Sequence, residues 1–433
     1  MTYQESLDYI NSLLRFGIKP GLERIQKLLD ELGNPQDSLR FVHVAGTNGK
    51  GTTCTLLASV LKEAGYRTGL YTSPYVTDFR ERFQINGEMI PKEAVVRNLE
   101  KIRPILETMA ERGEIITEFE LITALAFLWF AESKCDIVVL EVGLGGRFDA
   151  TNVIKTPLAA VIASISLDHT AVLGDTVEQI AFEKCGIIKQ GGTVVLYPEQ
   201  QPGVFRVVEE AVRERGAELV IADLDQVRET SSDLFGTNLI YHGQNLRLPF
   251  IGEHQEKNAA SVLTALEVLR QKGLVISAEA VAAGFAAARL PARMEILSER
   301  PIVLLDGGHN PGCAAALAKV INKYLSGRKR VAVMGMMSDK DSRTSLSLIA
   351  PLFSKIITLR PDNPRSLSGR ELADIASEFC PDTAPAKDGT EALRLAKEAA
   401  GEDGAIIICG SFFLAGELRP KAIELFGDGN LAQ

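Results

Sequence analysis

From residue 41 to residue 61 an unbroken apolar run gives way to a glycine turn and then to a helical repeat, and few folds accept that order. Phe41 to Ala45 reads as a strand buried on both faces. Gly46-Thr47-Asn48-Gly49-Lys50-Gly51-Thr52 follows as a tight loop. Leu56, Leu57, Val60 and Leu61 then recur at the spacing of one helix face. A glycine-rich turn between strand and helix aims backbone N–H groups and the positive helix end at an anion. Lys50 adds a charge that reaches the outer phosphates of a nucleotide, and Thr52 or Thr53 offers a hydroxyl to Mg²⁺. Asn48, Gly49, Lys50, Gly51 and Thr52 are therefore the expected phosphate-binding set. The pattern departs from G-x-x-x-x-G-K-[ST]: Val44 stands at the first glycine, and Gly51 separates Lys50 from Thr52. The competing reading is an ordinary glycine turn with a surface lysine.

A chain of 433 residues exceeds what one hydrophobic core organises, so two domains are expected. Its 47 basic residues fall short of the 56 acidic ones, leaving a formal charge of −9 and no electrostatic footprint for nucleic acid. An anionic substrate must then be met by local cations and metal rather than by the field of the whole protein. The six cysteines are dispersed without a C-x-x-C pair and read as buried reduced thiols. The N-terminal stretch MTYQESLDYINSLLRFG is acidic and amphipathic, unlike a signal or transit peptide. No uncharged apolar stretch is long enough to span a bilayer. A cytoplasmic setting without nucleic-acid or membrane partners is expected.

The rest of the chain alternates between strand and helix patterns. Helices are expected over 4–15 and from Leu22 to Leu29, separated by a break at 17–21, and later over 92–112 and 117–133. Ile85-Asn86-Gly87-Glu88 reads as a hairpin turn. Thr72-Ser73-Pro74 closes the second strand, Glu141 closes the apolar strand 136–141, and Leu167-Asp168-His169-Thr170 follows the strand 158–164. In an open parallel sheet ligands gather outside the carboxyl ends of the strands, which puts Ser73, Glu141 and His169 beside the phosphate loop. Taken singly, these are a turn serine, a solvated strand-end acid and a structural histidine. Their shared address favours a metal site. Lys184 by itself reads as a solvated lysine at a helix end. The stretch from Gly143 to Ala150 approaches a dinucleotide fingerprint, but Phe148 occupies the third glycine, which excludes a nicotinamide cofactor.

Beyond residues 297–300 the alternation restarts, and Asp306, His309 and Ser411 stand at its strand ends. The expected fold class is α/β with a parallel sheet and right-handed crossovers. It comprises an N-terminal P-loop ATPase-like domain over 1–297 and a smaller Rossmann-like domain over 298–433.

HVAGTNGKGT (43–52), TSP (72–74), TEFE (117–120), LEVGLGGRFDATN (140–152), LDHT (167–170), EKCGIIK (183–189), GEHQ…N (252–258), PARME (291–295), DGGHNP (306–311) and GS (410–411) run in order along the chain. Together they resemble the folylpolyglutamate synthase/dihydrofolate synthase family of the Mur ligase superfamily. The resemblance implies an ATP- and Mg²⁺-dependent amide ligase acting on small molecules. The carboxylate of a folate or dihydropteroate would take the γ-phosphate of ATP, and the amine of L-glutamate would displace phosphate from the acyl phosphate. Ser73, Glu141 and His169 match Mg²⁺ ligands, and Lys184 matches a carbamylated lysine, so that Lys50, His169 and Lys184 form the catalytic set. Asn258, Arg293, Asp306 and His309 match nucleotide-binding positions. Gly21, Phe119, Glu120, Asp149 and Ala150 fall on the folate side, and His309 with Ser411 on the glutamate side. Tyr75 stands where the family usually has histidine, Cys185 and Gly308 where it has alanine, and Ala292 where it has glycine. A monomer is implied. Two other readings stay open, a Mur-type cell-wall amino-acid ligase and a nucleotide-responsive P-loop regulator without ligation chemistry.

Overall fold

The run Phe41–Ala45 becomes β1, an inner strand whose five residues are all buried. The computed structural model describes residues 1–17 and 19–427; Ile18, in the expected break, and residues 428–433, at the end of the expected second domain, lie outside the described residues. β1 belongs to an eight-stranded sheet with β2 (Thr68–Tyr71), β3 (Phe83–Ile85), β4 (Glu88–Met89), β5 (Ile137–Glu141), β6 (Ala159–Ile162), β7 (Thr193–Leu196) and β8 (Glu218–Ile221). The order is β4-β3-β2-β5-β1-β6-β7-β8. From β1 the chain crosses to β2 on one side, then returns through β5, and continues from β6 on the other. That reversal opens a crevice at the carboxyl ends of β5, β1 and β6.

The sheet departs from the all-parallel expectation at one edge, where β2–β3 and β3–β4 are antiparallel. Asn86 and Gly87 both take positive φ (53° and 84°), as a two-residue hairpin turn requires, so the chain folds straight back. Helices cover both faces. The Lys50–Glu63 helix buries Cys54, Leu56, Leu57, Val60 and Leu61 on one side, and the Lys92–Glu111 and Glu118–Glu132 helices bury theirs on the other. Such two-sided burial is why β1 and β5 are largely apolar, the buried His43 of β1 being met by Thr151 Oγ1 at 2.9 Å. A small antiparallel sheet of β9 (Val227–Asp233), β10 (Gly236–Tyr241) and β11 (Gln244–Leu248) flanks this lobe.

The second lobe is a six-stranded sheet of β12 (Glu295–Glu299), β13 (Ile302–Asp306), β14 (Arg330–Met334), β15 (Lys355–Thr358), β16 (Thr383–Pro385) and β17 (Ala405–Cys409). Its order is β12-β13-β17-β14-β15-β16, parallel except for β12. The sequence pattern does not signal β12, because Glu295, Ser298 and Glu299 break its apolar signature. The Phe412–Phe426 helix also escaped sequence reading, since Gly416 and Pro420 interrupt it, although Leu414, Leu418 and Phe426 bury one face. In register, Asp306 and Met334 both stand beside Cys409. The carboxyl ends of β13, β17 and β14 thus form one level edge.

Candidate functional site

The loop after β1 is anchored on the strand next to it. The amides of Thr47 and Asn48 donate to Ser164 O at 2.7 and 3.2 Å, and Thr47 Oγ1 donates to Ser166 O at 3.0 Å. Gly49 has φ +87°, and a Cβ there would lie 2.5 Å from Asn258 Oδ1. Only glycine lets the loop rest on that buried asparagine, which the Glu253–Gln271 helix supplies. Lys50 Nζ donates to Gly46 O at 3.1 Å, and Lys184 Nζ donates to the same carbonyl at 2.8 Å. Of the two threonines, Thr52 is buried, and Thr53 Oγ1 is buried without a hydrogen-bond partner among the described residues.

Lys184 differs from the solvated lysine of the bare sequence. The Gly143–Gly146 loop packs on the end of its helix, where a Cβ on Gly146 would lie 2.9 Å from Lys184 O. The side chain is buried in consequence. Burial first, and the nearby Lys50 charge second, lower its pKa to about 7.

A cavity of about 110 Å³ opens at this loop, lined by Gly46 to Gly51, Ser73, Glu141, His169 and Lys184 from the first lobe and by Arg293, His309 and Phe412 from beyond it. A larger cavity of about 290 Å³ runs alongside the Lys50–Glu63 helix and shares Ser73, Glu141 and Arg293 with it. Glu141 Oε2 accepts the Ser73 N–H at 3.1 Å, and no side-chain donor reaches this carboxylate among the described residues. Burial raises its pKa against the pull of Lys50. Against the pull of Asp168, burial lowers the His169 pKa to about 4, so that its imidazole is neutral. A buried carboxylate without a side-chain counterion, a hydroxyl and a neutral imidazole suit Mg²⁺, which takes few protein ligands and completes its shell with phosphates and water. No cluster of three His, Cys, Asp or Glu arranged for a metal occurs among the described residues, so the protein's share of such a shell is partial.

The far wall rests on a strained linker. Ala292 and Met294 take φ of +54° and +48° on either side of Arg293. Such conformations cost about 1–2 kcal/mol each for L-residues and persist only where the surroundings enforce them. Here Gly307 N donates to Ala292 O at 2.7 Å, and Met294 N donates to Asp306 Oδ1 at 3.2 Å. Ala292 N donates to Glu295 Oε2 at 2.9 Å, and Arg419 clamps that glutamate from 2.6 Å. The result holds the Arg293 guanidinium 4.3 Å over the Phe412 ring. Asp306 lies behind Arg293 rather than on the cavity wall; burial raises its pKa, against the Arg293 charge. Ser411 is buried as well, its Oγ accepting Leu414 N at 3.1 Å as a helix cap.

Three residues without an assigned role in the sequence meet at the junction. Asp168 Oδ1 accepts Lys340 Nζ at 2.7 Å, and Asn310 Nδ2 lies 3.3 Å from Asp168 Oδ2. Burial opposes ionisation of Asp168, yet hydrogen bonds from His309 and Lys340 hold its carboxyl well below the usual range. Two of the three sit in motifs, LDHT and DGGHNP. Lys340 follows β14 in a loop with no recognisable pattern.

The residues expected on the folate side line neither cavity. Gly21 has φ +126°, in the turn before the Glu23–Glu31 helix. Glu120 closes a capping box with Thr117 and pairs with Arg24 at 3.0 Å. Phe119 packs 6.1 Å from the Tyr71 ring and lies directly against Gly143. Asp149 accepts Leu144 N at 2.8 Å and Thr151 N at 3.0 Å, tying the loop that carries Gly143 to Gly146, and Ala150 is buried behind it.

A P-loop sheet facing a second α/β lobe across a cation-lined cavity defines an ATP-dependent ligase of the Mur type. The Mur ligase middle domain matches residues 44–266, and the Mur ligase glutamate ligase domain matches residues 292–412. Within that class, the chain belongs to the folylpolyglutamate synthase/dihydrofolate synthase family. It is 35% identical to the dihydrofolate synthase/folylpolyglutamate synthase of Bacillus subtilis, over 97% of this chain and 99% of that one. Folylpolyglutamate synthase of Mycobacterium tuberculosis, solved with ADP and AMPPCP, superposes with a TM-score of 0.87 at 32% identity, covering 97% of this chain and 98% of that one. Escherichia coli FolC, solved with DHPP and ADP, does so with 0.85 at 31% identity, covering 98% of each. These relatives favour neither a cell-wall ligase nor a regulator.

Proposed function

We propose that the protein joins L-glutamate to the carboxylate of a folate or dihydropteroate, using ATP and passing through an acyl phosphate. The observation that carries this reading is the convergence of Lys50, Lys184, Glu141, Arg293 and His309 on one cavity between two lobes. The names of the relatives support the same acceptors.

Two anions must meet there, a carboxylate and the γ-phosphate. Lys50, with the loop amides, and Arg293 neutralise the phosphates, while Asn258 braces the loop and Asp306 fixes the Arg293 turn. Ser73, Glu141 and His169 would hold Mg²⁺, which when bound supplies further neutralising charge. Lys184, with a pKa of about 7, keeps a large neutral fraction at physiological pH. Its neutral amine can add to carbon dioxide, releasing one proton and turning a repelling ammonium into an anionic carbamate. The position of the cavity between the lobes limits water at the acyl phosphate; His309 borders the amine's approach, and Ser411 caps the helix that carries Phe412. On the acceptor side Phe119 packs behind Gly143 and Asp149 holds that loop, with Ala150 buried beside it; Glu120, paired with Arg24, and Gly21 belong to the same side.

A division near residue 297 belongs to this proposal; β12 (Glu295–Glu299) spans that position and pairs with β13, which favours a start of the second lobe a few residues earlier. So do a monomeric state and a cytoplasmic setting; the six free thiols fit the latter. No helix among the described residues is long and apolar enough to cross a membrane.

The test is phosphate release and amide formation from Mg-ATP with glutamate, with a reduced folate and dihydropteroate as acceptors side by side. Product is expected only when acceptor and glutamate are both present. Phosphate release indifferent to glutamate would overturn the reading.

A further inference from the structure

Asp168 belongs to the first lobe and accepts the neighbouring His169 N–H at 2.8 Å, yet its other side-chain partners come from the second. Lys340 Nζ stands 2.7 Å from Oδ1, Asn310 Nδ2 3.3 Å from Oδ2 and His309 Nε2 3.7 Å from Oδ2. The Lys340 and Asp168 side chains are only 11% and 10% exposed, so solvent screens this pair little. Both partners also touch the reaction site. Lys340 Nζ lies 3.4 Å from His169 Nε2, and Asn310 Nδ2 donates to Asn48 Oδ1 in the phosphate loop at 3.1 Å. Asn310 caps its own helix with Oδ1, accepting Cys313 N at 2.9 Å, and so presents its amide nitrogen to the first lobe.

We propose that Asp168 and Lys340 are positioning residues, whose buried ion pair docks the second lobe on Asn48 and His169 and keeps the acyl phosphate dry until the amine arrives. This rests on the ligase reading. An undocked cavity admits water, which cleaves the acyl phosphate to the original carboxylic acid and free phosphate. ATP is then consumed without an amide bond, so the phosphate-to-amide ratio reports docking. A residue that only stabilised the fold would leave that ratio at one.

Phosphate and amide are measured in the same reaction for the wild type, Lys340→Met, Lys340→Arg, Asp168→Asn and the double variant Asp168→Asn/Lys340→Met. Small-angle scattering and melting temperature are recorded in the same buffer. Lys340→Met is expected to lower the amide-forming kcat about 10²-fold, the usual result of misplacing reacting groups by about 1 Å. Several phosphates are released per amide, and the KM for ATP stays within about threefold. Lys340→Arg recovers coupling. The double variant is no worse than Lys340→Met, because the two residues act as one unit. If one variant fails to fold by melting, the double variant, which leaves no unpaired buried charge, carries the test. A ratio of one in every folded variant overturns the proposal. Should the wild type form no amide with any acceptor, the ligase reading falls instead. Docking is then judged by scattering alone, where lobe separation unchanged by the double variant overturns it.

Discussion

Glu141 and Asp168 border the same cavity, both with buried carboxyls, and their affinities for a proton move in opposite directions. Glu141 ends β5 and has one backbone donor; burial wins, and its pKa rises. Asp168 is met by a lysine, a histidine and an asparagine from the opposite lobe, and these outweigh burial. A buried acid without a protein counterion must be neutralised from outside or protonated. One that is already paired can serve only the architecture. Glu141 is thus available to a cation that arrives with ATP, whereas Asp168 has its charge consumed by the joint.

The largest expected effect is at Glu141. Glu141→Gln keeps the shape and the Ser73 contact but removes the charge, so ligation should fall about 10²–10³-fold while the melting temperature holds or rises. Steady-state rates across a Mg²⁺ titration check this. A wild-type rate would erase the distinction between the two acids.

Lys184→Met sharpens the comparison from the cationic side. The folded pKa of Lys184 is lowered to about 7, from 10.5 for the free group. Below the folded value both states carry the proton, and the penalty of burying the charge is complete. As pH rises from about 7 toward 10.5 the unfolded chain binds more protons than the folded one, so stability increases with pH. Lys184→Met should therefore raise the melting temperature, more at pH 6 than at pH 9, while ligation is lost. For a chain of 433 residues each kcal/mol gained appears as about 1 °C in calorimetry. An equal shift at both pH values would mean that the amine is not buried as a charge.

The smallest effect is expected from Arg419→Met, which frees Glu295 and loosens the turn holding Arg293 without touching either acid. The KM for ATP should rise about fivefold, equivalent to roughly 1 kcal/mol, with kcat nearly unchanged. A fall in kcat alone would place Arg419 in the docking of the lobes rather than in nucleotide binding.

Much of the site was legible because it sits where strands end. Glu141 closes an apolar run, Ser73 and His169 follow shorter strand patterns, and parallel topology brings those ends together. Lys184 taken alone reads as solvated, because its burial depends in part on a glycine loop some forty residues upstream and no local pattern records that packing; only the resemblance marks it as a site residue. β12 was missed since an edge strand needs only one buried face, and its polar residues mask the rest. Among the residues matched to substrate positions, Asp149, Asp306 and Ser411 spend their polar atoms largely on backbone amides. A motif position can therefore be recognisable while its atoms act through the loop they hold.

The chain by itself determined the strand, turn and helix of the phosphate site, since short-range sterics and apolar spacing suffice to specify them. Only the tertiary structure decided which charges are free. Asp168 and Lys340, and the left-handed turn around Arg293, take their meaning from partners distant in sequence. The reason is physical: a charge's energy depends on the burial and the neighbours around it, and both come into existence only when distant segments, and for Asp168 and Lys340 the two lobes, pack together.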